Sequence, residues 1–140
     1  MRTLLTSLIL LLNTTAFIAQ TSESHTLNLN FEITKDNKGQ ILFAMYNSAE
    51  SHMEDTHKTA SAKVENGKAK IVLTNIKPGY YSFSYFHDLN SDGELNTNLV
   101  GIPKEPYGFS NGEKGRLGPP DFEDCKIKIE KDLNINTSIK

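Results

Sequence analysis

The densest chemistry in the chain lies in Asp88-Leu89-Asn90-Ser91-Asp92-Gly93-Glu94-Leu95-Asn96, which reads D-x-N-x-D-G. Oxygen-bearing side chains at alternate positions, followed by a glycine that permits a sharp bend, are how a loop wraps a calcium ion. Calcium is a hard cation that takes six to eight oxygens, which suits carboxylates and amides. Asp88, Asn90 and Asp92 would offer side-chain oxygens, Glu94 its carbonyl, and Asn96 a side chain or a water contact. Three acids within seven residues repel one another unless a cation lies among them. The pattern departs from an EF-hand. Its twelfth position is Leu99, where a bidentate Glu belongs, and the preceding segment reads as a strand. A remote carboxylate would have to complete the shell, and Glu105, Asp121, Glu123 and Asp124 are candidates. The metal-free alternative is a polar turn built on Asp92-Gly93.

A second unusual stretch runs from Gly101 through Pro103, Pro106, Tyr107, Phe109 and Asn111 to Gly118-Pro119-Pro120. Long segments without regular structure in a compact domain are usually functional or disordered. Ile102, Tyr107, Phe109 and Leu117 are expected to pack, which argues for order. Tyr107 and Phe109, with Asn111 beside them, form a candidate ligand-binding surface that offers stacking faces to a sugar or peptide. Alternatively the two rings plug the end of the fold.

Other reactive residues are weaker candidates. His52 and His57 are five apart, whereas a helical zinc motif needs four, so both are assigned to a solvated loop. His87 abuts Asp88 and, with Glu105, suggests acid–base work, against the plainer reading of a strand-end histidine bonded to the loop. No catalytic nucleophile motif accompanies them. Cys125 is the one cysteine, so an internal disulfide is excluded. Its expected role is a small buried side chain.

The elements that must position these residues are strands. Leu27, Leu29, Phe31 and Ile33 alternate with polar residues, as do Ile41, Phe43 and Met45 after the turn Asn37-Lys38-Gly39. Period two marks half-buried strands, and the two segments are predicted to pair as a hairpin. Ala60, Ala62 and Val64, then Asn66-Gly67, then Ala69, Ile71 and Leu73 predict a second hairpin. Ser48 to Lys58 is read as a short helix or loop. Tyr81, Phe83 and Tyr85 form a further strand after Pro78-Gly79. Cys125, Ile127 and Ile129, and then Leu133 to Ile139, complete about seven. The expected fold is all-β: a single antiparallel β-sandwich, prealbumin-like or immunoglobulin-like, with a long Gly/Pro-rich loop. A small barrel is the alternative.

The N-terminus belongs to a different class of signal. Arg2, the apolar stretch from Leu4 to Leu12, and small Ala16 and Ala19 follow the order of an export signal. Residues 1–19 are therefore expected to be removed, leaving a domain over 20–140 that is periplasmic or secreted and has no membrane span. The chain of 140 residues fits one domain. Its 15 basic residues stand against 17 acidic ones, which excludes the basic footprint of a nucleic-acid binder.

Taken together, Pro78-Gly79-Tyr80-Tyr81, Phe86-His87-Asp88, Asn90, Gly93, Leu95, Thr97-Asn98, Gly101-Ile102-Pro103, Glu105, Tyr107 to Asn111, Gly118-Pro119-Pro120 and Phe122-Glu123-Asp124 carry a resemblance. The chain resembles the bacterial exported proteins called domain of unknown function 2141, over nearly its whole length after the signal. The resemblance implies export by a Gram-negative bacterium and a small sandwich, and it assigns no activity. The Pro-Gly-Tyr-Tyr strand also looks like prealbumin-like and collagen-adhesin repeat domains, most of which are structural or binding modules. Pro106, where the family often has Gly, and Cys125, where it usually has another small residue, depart from the pattern.

These observations favour a non-enzymatic exported module, calcium-stabilised, that binds a protein or glycan. A hydrolase or lyase with a site near His87, Asp88 and Glu105 is the alternative, and a purely structural domain the third reading. The export signal predicts a mature protein that begins near Gln20 and lies outside the cytoplasm. N-terminal sequencing of protein from fractionated cells checks this, and an intact Met1 on soluble cytoplasmic protein refutes it.

Overall fold

The computed structural model describes residues 23–140; the expected signal segment, 1–19, lies outside them. Eight strands form two sheets: β1 (His25–Ile33), β2 (Gln40–Tyr46), β3 (Lys58–Lys63), β4 (Lys68–Ile76), β5 (Gly79–Asp88), β6 (Tyr107–Phe109), β7 (Ile127–Ile129) and β8 (Leu133–Ile139). A four-residue helix, α1 (Phe122–Cys125), precedes β7. One sheet has the order β4-β1-β8. The other has the order β3-β2-β5-β6, with β7 pairing on β5. The fold is the expected all-β sandwich. All pairings are antiparallel except β1 with β8, which run parallel from Leu27↔Leu133 to Ile33↔Ile139.

Period-two alternation does what it predicts. Leu27, Leu29, Phe31 and Ile33 point inward from β1, opposite Ala69, Ile71 and Leu73 of β4. Ile41, Phe43 and Met45 of β2, with Tyr81 and Phe83 of β5, fill the space from the other sheet. Burying each of these large apolar side chains contributes about 1.5–3 kcal/mol, which is what holds the two layers together.

The predicted hairpins are not formed. β1 and β2 lie in different sheets, and so do β3 and β4. The Asn66-Gly67 turn is real. Both residues have positive φ, and Glu65 and Lys68 exchange both backbone bonds, at 2.9 and 3.0 Å. The strands then diverge, one into each layer. The two turns are instead tied to each other. Gly67 donates its N–H to Asn37 Oδ1 at 2.6 Å, and Ile33 donates to Gly67 O at 2.8 Å. A turn signal specifies reversal of direction. It does not specify whether the next strand pairs alongside or stacks across the core, because inward alternation looks the same in both cases.

β5 is central to its sheet and has both faces covered. Tyr81, Phe83 and Tyr85 face the core, while Ser82 and Asp88 on the opposite face are also fully buried. Tyr85 packs edge-on to Phe31 at 5.0 Å. Burial raises its hydroxyl's pKa, and a hydrogen bond with Thr137 of β8 partly offsets this. The ring lies so close under β6 that a Cβ on Gly108 would sit 2.3 Å from the Tyr85 hydroxyl.

Two glycines at positive φ separate conformational strain from steric exclusion. A Cβ on Gly93 meets nothing within 4 Å, whereas one on Gly39 would lie 2.1 Å from the Asp88 carbonyl oxygen. Both Gly→Ala changes carry the left-handed cost of about 1–2 kcal/mol. Gly39→Ala should cost about 1–3 kcal/mol more, because backbone rather than a side chain must move. Urea melts of the two variants check the order, and equal losses would refute it.

Candidate functional site: a carboxylate-braced loop beside an open groove

β5 ends at Asp88, and the chain does not re-enter the sheet until Tyr107. The intervening backbone needs hydrogen-bond partners that no strand supplies. Two carboxylates provide them. Asp88 is 0 % exposed and sits opposite Gln40 in the β2–β5 ladder. Its Oδ2 accepts from Gln40 Nε2 at 2.8 Å and from Gly93 N at 3.0 Å. Its Oδ1 accepts from Asp92 N at 3.2 Å. Glu105, 5 % exposed, accepts from Leu89 N at 2.8 Å and Asn96 N at 3.0 Å, one on each oxygen. Of the four remote acids proposed for the loop, Glu105 is the one that bonds to it. Asp121, Glu123 and Asp124 flank or form α1, which packs near Ser82. Ser82 is six residues from Asp88, about 20 Å along the strand.

The oxygen-bearing side chains of the loop converge. Asn90 Nδ2 donates to Asp92 Oδ2 at 2.7 Å and to Asn96 Oδ1 at 3.1 Å, and Asn96 Nδ2 donates to Asp92 Oδ2 at 3.0 Å. The bond from Asn96, then those from the Glu94 N–H and Asn90, hold the Asp92 carboxyl below the usual range. Glu94 has an exposed side chain, and its N–H donates to Asp92 Oδ1 at 2.9 Å. Among the described residues, no three His, Cys, Asp or Glu side chains gather as one metal cluster. The donor set is instead mixed: two aspartates and two amides. Oxygen-only donors of this kind suit a hard cation. Turning the Asn90 amide about its terminal bond would present an oxygen where its nitrogen now points.

His87 and Asp88 do not form a pair. Neighbouring strand residues face opposite sides. His87 turns to the core side and is buried, and its Nε2 donates to Lys38 O at 2.7 Å. Asp88 turns away from it.

Beyond the loop, His87 N donates to Pro106 O at 2.8 Å, which brings β6 alongside β5. Pro106 uses only its carbonyl there, so its missing N–H is not needed. Between β6 and β8, at the open side of the sandwich, lies a cavity of about 990 Å³. Phe83 and Tyr85 form its floor, and Glu105, Tyr107, Phe109 and Asn111 contribute to one wall. The structure separates the two rings of the candidate surface. Tyr107 is 53 % exposed, while Phe109 is 7 % exposed and packs against it at 6.0 Å. Tyr107 alone keeps an open face. Asn111 adopts positive φ and donates its amide to Lys126 O at 3.0 Å. Ile102 and Leu117 do not pack as expected, for both are exposed together with Leu99 and Val100. Hydrogen bonds order that hairpin tip instead, with Asn98 Oδ1 accepting from both Val100 N and Ile102 N.

A polar cluster that the sequence reading missed covers the other half of β5. His52 is not solvated. Its ring lies edge-on to Tyr46 and Phe122, with Nδ1 2.8 Å from Ser82 Oγ and Nε2 2.8 Å from Pro120 O. A carbonyl only accepts, so Nε2 carries the proton, and in the neutral ring Nδ1 accepts from Ser82. The Cys125 sulfur is 3.9 Å from Nε2 and donates to Asp121 O at 3.2 Å. A nitrogen already committed as a donor is no base for that thiol. Ser82 alternates with aromatic residues on β5 just as Ser84 does, so no sequence signal marks it; its burial, which demands a polar cover, is seen only in the structure.

Comparison with known families decides the chain's membership. A family model described as "Uncharacterized protein conserved in bacteria (DUF2141)" matches residues 30–136. The chain belongs to this family. The family match runs from within β1 to within β8, so it takes in both sheets, the braced loop and the groove. No curated protein and no solved structure matches the chain. Among the described residues, no helix is long and apolar enough to cross a membrane.

Burial raises the Cys125 thiol above its usual range, with smaller opposing effects from Ser110 and the backbone. The thiolate is the reactive form. Cys125 should therefore resist a maleimide or disulfide reagent in the native protein and react at once in urea. Native labelling as fast as that of free cysteine would refute the buried assignment.

Proposed function

We propose that this protein is an exported binding module in which a calcium ion sets a loop and the loop holds the wall of a protein- or glycan-binding groove. One observation carries the reading. Glu105 braces the loop through Leu89 N and Asn96 N, and it also lines the cavity with Tyr107 and Asn111. Loop conformation and groove shape are thereby coupled through one buried side chain.

Electrostatics support the calcium part. Asp88 and Glu105 are both buried, and among the described residues neither has a cationic side chain within ion-pair distance. Burying acidic groups without a counter-charge is costly. A divalent cation held by Asp88, Asn90, Asp92, the Glu94 carbonyl and Asn96 would offset that cost. Export fits the same reading, since calcium outside the cytoplasm reaches the level at which weak extracellular sites fill, about 10⁻⁴–10⁻³ M.

Metal that binds the folded chain alone raises stability by RT ln(1 + [L]/Kd), about 2.7 kcal/mol at a hundredfold excess over Kd. The melting temperature should therefore rise with calcium and fall with a chelator, and magnesium should substitute poorly because it demands a tight octahedron. Asp92→Asn should weaken the calcium response more than it lowers the metal-free melt, because the exposed side chain keeps one acceptor oxygen for the loop and loses a ligand charge. A melt indifferent to millimolar calcium and chelator, with no calorimetric heat, would overturn the metal reading and leave the loop a hydrogen-bonded turn.

A further inference from the structure

We propose that the groove takes an extended polypeptide segment of a partner protein, which pairs with the free edge of β8 as a fourth strand of the β4-β1-β8 sheet. The inference rests on the binding reading above and names the ligand class for that site.

The geometry of β8 carries it. β8 has seven residues and, among the described residues, one strand neighbour, β1. Main-chain direction alternates along a strand, so one anchored residue fixes the rest. Thr34 N donates to Ile139 O at 3.0 Å, in the register that sets Ile33 beside Ile139. The main-chain groups of Ile139, Thr137, Ile135 and Leu133 therefore face β1. Those of Asn134, Asn136 and Ser138 face away, toward the groove edge. Unpaired N–H and C=O groups in strand spacing are complementary to another strand.

Folds usually blunt such an edge with charge, proline or a bulge. β8 reads Leu-Asn-Ile-Asn-Thr-Ser-Ile, with no charge, no proline and an unbroken register. The edge also opens onto a prepared surface. Tyr85 spans from Gly108 to Thr137, and Ile127 and Ile135 line the same cavity half-buried. Every second side chain of an added strand would rest on that apolar floor, and the alternate ones would face water.

The groove is walled on its far side by β6 and by residues 111–115. That shape admits a single extended chain. A second copy would bring its own sheet and connecting loops into the same gap. Main-chain pairing also favours polypeptide over glycan, because a sugar cannot repeat donors and acceptors at strand spacing.

The probe is a phage-displayed library of random linear peptides about nine residues long, the length of a strand spanning β8 with short overhangs, selected on the purified protein. Selected peptides should alternate apolar and polar residues. Amide exchange of Asn134, Asn136 and Ser138 should be fast in the free protein and slow in the complex. Asn136→Pro removes an outward-facing N–H that β1 does not use, a site where an edge strand tolerates proline. It should weaken peptide binding at least about tenfold with little change in melting temperature. Ser138→Pro serves the same purpose if Asn136→Pro fails to fold.

Several results overturn the proposal. If peptides bind but the proline variants and the three amides are unaffected, the groove reading stands and strand pairing fails. If no peptide is selected but oligosaccharides bind and Tyr107→Ala abolishes that binding, the site is a glycan site. If sedimentation shows a dimer that Asn136→Pro dissolves, a second copy holds the edge. If the three amides are already protected in the free monomer, the chain covers its own edge. If neither peptide nor oligosaccharide binds, the binding reading itself falls.

Discussion

Two buried carboxylates, without a cationic partner among the described residues, brace the loop that follows β5. Asp88 and Glu105 collect four backbone N–H groups from a segment that no sheet supports, and Asp88 also accepts from the Gln40 amide of β2. A hydrogen bond to a charged group is worth about 1.5–3 kcal/mol, roughly twice a neutral one. The arrangement therefore orders an irregular segment without apolar packing, which explains how Leu99, Val100 and Ile102 stay in water on a defined hairpin tip. The same solution concentrates negative charge in a region sealed from solvent. That charge is the physical ground for the calcium proposal.

β5 connects the parts. Its core face carries the aromatic residues that meet the other sheet. Its outer face carries polar residues, and each one found buried has a dedicated partner. Ser82 meets His52, and Asp88 meets Gln40 and the loop. Ser110 extends the sheet with a side chain, its Oγ accepting from Phe83 N at 3.0 Å. Covering both faces of one strand requires long connections on one side of the sandwich, and the Gly- and Pro-rich stretches provide them. Placing β6 and β7 end to end along the same edge of β5 leaves the gap opposite β8.

The loop, the groove wall and the free edge thus form a single arrangement. The loop fixes Glu105 and Pro106, these fix β6, and β6 stands across the gap from β8. A change in loop conformation would reach the groove through Glu105 and Pro106, the two residues that lead into β6.

The sequence by itself determined which side chains build the apolar core and where the chemistry lies. Alternation at Leu27–Ile33, Ile41–Met45 and Tyr81–Tyr85 fixed which side chains enter the apolar core, because period two sends only one face toward the other sheet. D-x-N-x-D-G fixed where oxygens converge, because a glycine-closed loop of alternating donors has few other shapes. Tertiary structure decided the rest. The turns at Asn37-Gly39 and Asn66-Gly67 predict reversal equally well for a hairpin or for a crossing between sheets, and the chain crosses. Glu105, His52 and strand β8 acquire their partners from residues that are 16, 30 and 106 positions away. No local pattern encodes such distances. Whether Tyr107 or Phe109 keeps an exposed face depends on what packs over each, and two rings separated by one glycine look alike until the rest of the chain is in place.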